Sequence, residues 1–451
     1  EPKENSSDDS SSSSITTKLL YDKDSEKISS VKIENQNGSY TVTRNGSGYS
    51  VDGYEGLPLD DTYLSAIVES TASVTAKQII EENAEDLEKY GLGNDASKVE
   101  VTFSDSGKTV KKFRVGKEAY TAGQVYFMLD GDKTVYTVQS DQFQGIQNGK
   151  ENVISHSFLE TPESDDKYPV IDEVSITGKD ISNPIVLKYD ASLKKDDKTD
   201  FTYDTEHIMT SPVEAPLIKE NATAVIRGLF VLNASEVYKV HPSAEDLKGA
   251  GLDDPSVIYS MKTEGKTYTF KIGNPITENS SDSYYGYFEG TDIIYIFDLP
   301  MLGFAKISAS DMIQKVVTEK GLYDLKKLEI ITSDKHLTLD IEGADNDALK
   351  VKLNGKEFDK AVLQAFYPFI LSTPCDTLYF DEPKTDNCQV KLILTDKFGN
   401  ESVIEYYDNQ FRRSAIKKNG KSEFTCNTSY VDRLIGNIAL LEAGENPVTS
   451  W

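Results

Sequence analysis

The feature that most constrains this chain is an internal repeat. Residues 84–92 read AEDLEKYGL and residues 244–252 read AEDLKGAGL, a shared A-E-D-L-x-x-x-G-L displaced by 160 positions (244 − 84). The downstream segments repeat too. GKTVKKFRVG at Gly107–Gly116 matches GKTYTFKIG at Gly265–Gly273, and VYFMLDGDKTVYTV at Val125–Val138 matches YGYFEGTDIIYIF at Tyr285–Phe297. Gly131 then pairs with Gly290 and Tyr136 with Tyr295. Self-similarity at a fixed period means one supersecondary unit used more than once.

Each half of the motif has a physical reading. Asn83 and Ser243 are good N-cap residues, and Asp86 and Asp246 fall three positions on, a capping-box-like spacing. Gly91 and Gly251 suit the left-handed residue that ends a short helix. Leu87 and Leu247 then stand at the third position from the helix end, and Leu92 and Leu252 come directly after the glycine. Those are the two positions that touch in a Schellman cap. The motif is a helical turn with both ends specified, and its acidic residues need no ligand to explain them.

Alternating runs come after the turn. Val99–Phe103, Val110–Val115, Val125–Leu129 and Thr134–Val138 predict a four-stranded antiparallel meander, with tight turns at Asp130-Gly131 and Glu289-Gly290. Before the turn, copy one opens with strands at Ser30–Glu34, Ser39–Arg44 and Tyr49–Val51. Asp60 then caps a helix to about Ser70 that puts Leu64, Ile67 and Val68 on one face. In copy two, Glu173–Ile176, Ile185–Tyr189 and Phe201–Tyr203 take the strand places, Pro216–Val231 the helix, and the charged Lys194–Asp200 a solvated loop.

A third, degenerate copy lacks the Gly-Leu turn. Its strands are Leu328–Thr332, His336–Ile341, Leu349–Leu353, Thr377–Phe380, Gln389–Thr395, Ser402–Tyr407, Ser414–Lys418 and Glu423–Cys426. Its helices are Phe358–Ile370 and about Ser429 to Leu441. The expected class is α+β: tandem repeats of antiparallel β meanders, each with an amphipathic helix and, in the first two copies, the capped turn. The expected organisation is a disordered Ser/Asp-rich tether over 1–27, repeats over 28–155 and 168–316, and the degenerate repeat over 324–445.

Composition excludes several functions. With 48 Lys and Arg against 75 Asp and Glu, the formal charge is −27, which repels phosphate backbones and argues against nucleic acid. No run of about 18 apolar residues is long enough to span a bilayer. The segment Glu1–Ser14, EPKENSSDDSSSSS, contains no apolar residue able to build a core; a membrane anchor upstream of Glu1 would make it a tether. Cys375, Cys388 and Cys426 lie in the last third of the 451 residues, so no disulfide framework spans the chain. Three independent thiols or a single bridge both remain open.

The order of strand meander, helix, A-E-D-L-x-x-x-G-L, G-K-T-x-x-x-x-x-G and Y-x-x-x-x-G-x-x-x-x-Y resembles the DUF4340 family, a bacterial domain of unknown function. The resemblance covers residues of about 28–150 and 172–315 and fades in the third copy. It implies an extracytoplasmic bacterial protein held to the membrane by an N-terminal anchor. It also implies frequent neighbourhood with ABC-2-type transporter components, including those like gliding-motility auxiliary proteins. The family brings no established catalytic residues, so none is assigned.

The chemistry-bearing side chains point the same way. His156, His207, His241 and His336 have no metal-ligand spacing among them. There is no nucleotide-binding glycine motif and no nucleophile elbow; Gly46-Ser47-Gly48 is a turn between strands. Ser29 and Ser192 open S-x-x-K by spelling only. Asp22, Asp24 and Glu26 begin like a calcium loop but lack its glycine and closing glutamate. Asp130/Asp132 and Asp345/Asp347 read as turn residues. Tyr126, Tyr136, Tyr284, Tyr285, Tyr287 and Tyr295 read as sheet residues with a minor share as a binding surface. The expectation from sequence is therefore non-enzymatic, with no catalytic, cofactor or metal residues and no cofactor. It is an accessory or scaffold module of an ABC-type transporter, partnered by protein, with the transporter's membrane subunits as candidates. The alternative is a cell-surface binding protein for a glycan or another small ligand.

Overall fold

The computed structural model describes residues 17–193, 201–276 and 282–450. The Glu1–Ser14 tract and the Lys194–Asp200 loop lie outside the described residues. The rest is α+β, built on antiparallel sheets.

In the first copy the strands are β1 (Lys18–Asp22), β2 (Ile28–Asn35), β3 (Gly38–Asn45), β4 (Gly48–Val51), β5 (Ser73–Ala76), β6 (Gln78–Glu81), β7 (Ser97–Phe103), β8 (Val110–Glu118), β9 (Gln124–Leu129) and β10 (Val135–Gln139). Helices α1 (Asp61–Ser70) and α2 (Gln144–Gln147) complete it. The second copy has β11 (Ile171–Thr177), β12 (Ile185–Tyr189), β13 (His207–Ser211), β14 (Ala215–Pro216), α3 (Lys219–Ile226), β15 (Glu236–Val240), α4 (Ala244–Gly249), β16 (Val257–Thr263), β17 (Lys266–Ile276), β18 (Ser283–Phe288), β19 (Ile293–Asp298), α5 (Gly303–Lys306) and α6 (Ala309–Met312). The third has β20 (Leu325–Ile331), β21 (His336–Glu342), β22 (Lys350–Leu353), β23 (Lys356–Phe358), α7 (Lys360–Leu371), β24 (Thr377–Leu378), β25 (Cys388–Asp396), β26 (Glu401–Asp408), β27 (Arg413–Lys418), β28 (Lys421–Asn427) and α8 (Thr428–Ala443).

The three strand orders are β4-β3-β2-β7-β8-β9-β10-β6, β14-β13-β12-β11-β16-β17-β18-β19-β15 and β23-β22-β21-β20-β25-β26-β27-β28-β24. They share one topology, the first sheet lacking only the outermost strand that β14 and β23 supply in the others. Two meanders meet at the β2/β7, β11/β16 and β20/β25 positions, and a short strand from the middle of the copy closes the far edge. The third copy, though degenerate in sequence, has the same order as the second.

By compactness the chain divides into two units. The first holds residues 1–158, 233–245 and 290–297, and so contains the first sheet with β15 and β19. The second holds the remainder: β11–β14, β16–β18 and the whole third sheet.

Local chemistry accounts for the elements. Asp60 caps α1 by accepting a hydrogen bond from Tyr63 N, and Leu64, Ile67 and Val68 are buried beneath it. Such a cap contributes about 1 kcal/mol and each buried aliphatic about 1.5–3 kcal/mol. Under the first sheet Phe113, Phe127 and Phe143 lie within 5.1–5.7 Å of one another. In the third copy α7 and α8 bring Thr373 Oγ1 within 2.8 Å of both Tyr406 and Tyr430 hydroxyls in a buried network.

The repeated turn is a Schellman cap in both copies. Leu92 N donates to Leu87 O at 2.9 Å and Gly91 N to Glu88 O at 3.0 Å; Leu252 N donates to Leu247 O at 2.8 Å and Gly251 N to Lys248 O at 3.0 Å. Gly91 has φ +64° and Gly251 +69°, the left-handed region that a Cβ disfavours. The second motif is its seat. The β8/β9 register slips by one residue between Val115 and Glu118, and the β17/β18 register slips between Ile272 and Pro275. Each slip is a bulge at the glycine that closes the G-K-T segment, Gly116 in the first copy and Gly273 in the second. A Cβ on Gly116 would collide with Tyr90 O, and one on Gly273 with Ala250 O. Next to Gly273, Asn274 N donates to that same Ala250 oxygen at 2.8 Å. Turn and bulge are two halves of one joint.

Several expectations need correction. Residues 18–22, counted with the tether, form β1, which pairs with β5; Tyr21 is buried there and donates its hydroxyl to Thr71 O. Asn83 is not the N-cap of the first turn. It takes φ +56° in the preceding loop, and Asp86 Oδ1 accepts from Lys89 N instead. The third strand of copy two is His207–Ser211, not Phe201–Tyr203, because the former pairs with β12. The helix expected over Pro216–Val231 is only Lys219–Ile226, since Pro216 and Leu217 are held in extended pairing with Ile208 and Ile313.

Candidate functional site

Within the second unit a polar cleft of about 600 Å³ is lined by the β13–β14 corner, the segment before β20, the start of β26 and the β27–β28 hairpin. The hairpin turns on Asn419-Gly420, with φ +50° and +82°, the pair a tight two-residue loop demands. Its tip is fastened to β26 twice: Asn419 N donates to Val403 O at 2.8 Å, and Val403 N donates to Asn419 Oδ1 at 2.9 Å.

The chemical centre is Glu423. The β27/β28 register slips between Ile416 and Lys417, whose partners are Phe424 and Ser422. Glu423 is therefore the bulged residue, and the strand's alternation is broken at that point. It is 7% exposed. Burial, reinforced by the charges of Glu319 and Glu214, pushes its carboxyl up to about 7 against the pull of Lys418. The Lys418 ammonium sits 3.5 Å from Glu423 Oε2, 3.8 Å from Glu319 Oε1 and 3.4 Å from Val316 O. All three separations are long for a direct charge-assisted hydrogen bond. Beside it, Lys320 is committed at 2.7 Å to Asp396. Although burial opposes it, that ammonium and the Asn400 backbone N–H hold the Asp396 carboxyl down at about 2. Tyr203 and Phe380 add aromatic surface, and burial raises the Tyr203 hydroxyl to about 12. The cleft thus offers donors, acceptors and apolar faces together, an arrangement suited to holding a polar small molecule.

Residues singled out in the sequence lie elsewhere. His156 Nδ1 is 3.1 Å from Ala234 O, and His336 Nε2 is 3.1 Å from Glu329. His207 Nε2 is 2.7 Å from Ile171 O, and burial lowers its pKa. His241 Nδ1 lies 2.6 Å from Asp292 Oδ2, which raises its pKa. Asp24 caps a turn by accepting from Glu26 N; Asp132 accepts from Thr134 N and Tyr136 Oη; Asp345 accepts from Asp347 N and Ala348 N. Ser29 lies on β2 and donates to Thr102 O, and Ser192 donates to Asp190. Among the described residues no group of three or more His, Cys, Asp and Glu could hold a metal ion. Tyr126, Tyr136 and Tyr295 are buried, and Tyr284 carries the Lys306 ammonium 3.4 Å from its ring centroid. Cys375, Cys388 and Cys426 are free thiols, and burial raises all three, Cys426 to about 12.

Sequence reasoning missed the cleft. Glu423 reads there as one more strand residue, and only the bulge turns it inward. The Asn419-Gly420 pair was the available signal, since it fixes the hairpin register on which that bulge depends.

Neither a curated protein nor a solved structure matches the chain. A family model described as "Domain of unknown function (DUF4340)" matches residues 50–255 and 208–369. The matches begin in β4 and β13, strands that lead into α1 and α3 in their respective copies. Their starts are 158 residues apart (208 − 50), close to the period of the repeated turn. Together they span well over half of the sequence, and the chain belongs to the DUF4340 family, a domain whose function is unknown.

Proposed function

We propose that this protein is a non-enzymatic, extracytoplasmic, membrane-tethered module that serves as an accessory or scaffold to an ABC-type transporter, binding protein subunits through its sheets. The observation that carries this reading is a repeated one. The loop after β8 and the loop after β26 occupy the same place in their copies. They present Tyr120 and Phe411, both at least nine-tenths exposed. Phe411 is held at φ +59°, a conformation costly for a bulky side chain. Exposed aromatics of this kind are common anchors of protein interfaces. The closing edge strand β6 adds Ile79 and Ile80, each more than a third exposed. The family resemblance supplies the class of partner.

Cross-linking in intact membranes followed by pull-down tests this. The wild-type chain is expected to recover a transporter permease or ATPase subunit, and Tyr120→Ser with Phe411→Ser to recover much less. Recovery of no transporter subunit sinks the accessory reading. The cleft favours a second reading, a binding protein for a glycan or another small ligand.

A further inference from the structure

We infer that the cleft beside Glu423 is a binding site for a short neutral oligosaccharide; this rests on the second reading above. Charge narrows the choice of guest first. Of the lining residues, Lys320 is already paired with Asp396 at 2.7 Å and Glu382 with Lys417 at 2.6 Å. The set left to face a guest is Lys418 and Lys421 with Glu214, Glu319 and Glu423. Anions meet three carboxylates there, and cations meet two lysines, of which Lys418 is only 11% exposed. A hydroxyl, which both donates and accepts, meets neither penalty.

Spacing narrows it further. Lys418 Nζ donates to Val316 O at 3.4 Å and stands 3.5 Å from Glu423 Oε2 and 3.8 Å from Glu319 Oε1, contacts long enough that its ammonium protons are free to reach a guest hydroxyl. Glu423 Oε2 and the neighbouring Ser422 Oγ are both out of solvent and receive no hydrogen bond within the described residues. Buried polar atoms ordinarily have partners, and a ring of sugar hydroxyls provides them. Phe380, 41% exposed at the cleft, offers the apolar face on which a pyranose C–H surface packs. The volume of about 600 Å³ falls within the ordinary range for small-molecule sites and far exceeds one water.

The test is saturation-transfer NMR and calorimetry on the full chain with maltotriose, cellotriose and chitotriose, alongside spermidine and inorganic phosphate. At least one trisaccharide is expected to bind with a millimolar or tighter Kd. Glu423→Gln and Phe380→Ala should each weaken it tenfold or more while the circular dichroism of both, and the melting temperature of Phe380→Ala, stay close to wild type. Phe380→Ala alters a partly exposed side chain, so it keeps the test valid if Glu423→Gln folds poorly. Binding of spermidine or phosphate but no trisaccharide overturns the saccharide assignment and leaves the small-ligand reading standing. No binding by any probe overturns both. Trisaccharide binding that neither variant weakens places the site elsewhere and also overturns the inference.

Discussion

In the second copy a capped turn sits against a bulge between β17 and β18; in the third, the turn is missing and the corresponding pairing of β26 with β27 has no bulge. The turn Leu247–Leu252 docks its Ala250 carbonyl on the bulge at Gly273–Asn274. In the third copy β26 pairs with β27 in unbroken register from Ile404 to Asp408. The connection from β24 to β25 there lacks the Gly-Leu turn, yet the strand order is unchanged. Sheet topology therefore follows from the strand pattern and the hairpins. The turn and its bulge are a local joint added on top, and the first copy carries the same joint at Gly91 and Gly116.

Substitutions can break that comparison. The largest effect is expected at the seat. Gly273→Val drives a side chain into Ala250 O and should cost about 3 kcal/mol or more, whereas Asp408→Val, at the matching place on β26, should stay within about 0.5 kcal/mol. Urea denaturation of the two variants checks this, and equal losses would refute the joint. Next in size is Glu423, a residue of the third copy's own bulge. Its carboxyl titrates at about 7 in the folded chain against an ordinary value of 4.5. Between those values the folded protein keeps a proton that the unfolded chain has released. Stability from this group thus falls as pH rises through that window, by about 3 kcal/mol when complete. Glu423→Gln should remove that part of the slope between about pH 4.5 and 8, and parallel slopes in the two proteins would contradict the buried ionisation.

Smaller still is the turn's own glycine. Gly251→Ala imposes both left-handed strain and a collision with the Asn274 side chain, for about 2 kcal/mol. Gly444→Ala, which closes α8 at φ +75° with nothing within 4 Å, should cost about 1 kcal/mol. Thermal melts rank the pair. A Gly444 loss equal to that at Gly251 would mean that conformation, not the seat, sets the cost.

Sequence reading succeeds where a residue carries its own conformational demand. Gly91 and Gly251 announce left-handed caps, Asp60 announces α1, and Gly131 and Gly290 announce turns at φ +86° and +90°. It fails where pairing decides. The four residues of β6, QIIE, have too short a pattern to be read as a strand, yet they close a sheet against β10. Phe201–Tyr203 looks as strand-like as His207–Ser211, and only the register with β12 chooses between them. Glu423 fails for the same reason, because its burial depends on a one-residue slip in the pairing of β28 with β27.

The joint also sets a rule for anyone recombining these copies. A turn grafted into the third copy would bring a carbonyl that needs a strand stepping aside and a residue without a side chain at the point of contact. The unbulged β26, with Asp408 in that place, supplies neither. The nine-residue motif is therefore not a portable cassette; its smallest exchangeable piece runs from the alanine that opens the turn to the glycine of the following bulge, Ala84–Gly116 or Ala244–Gly273.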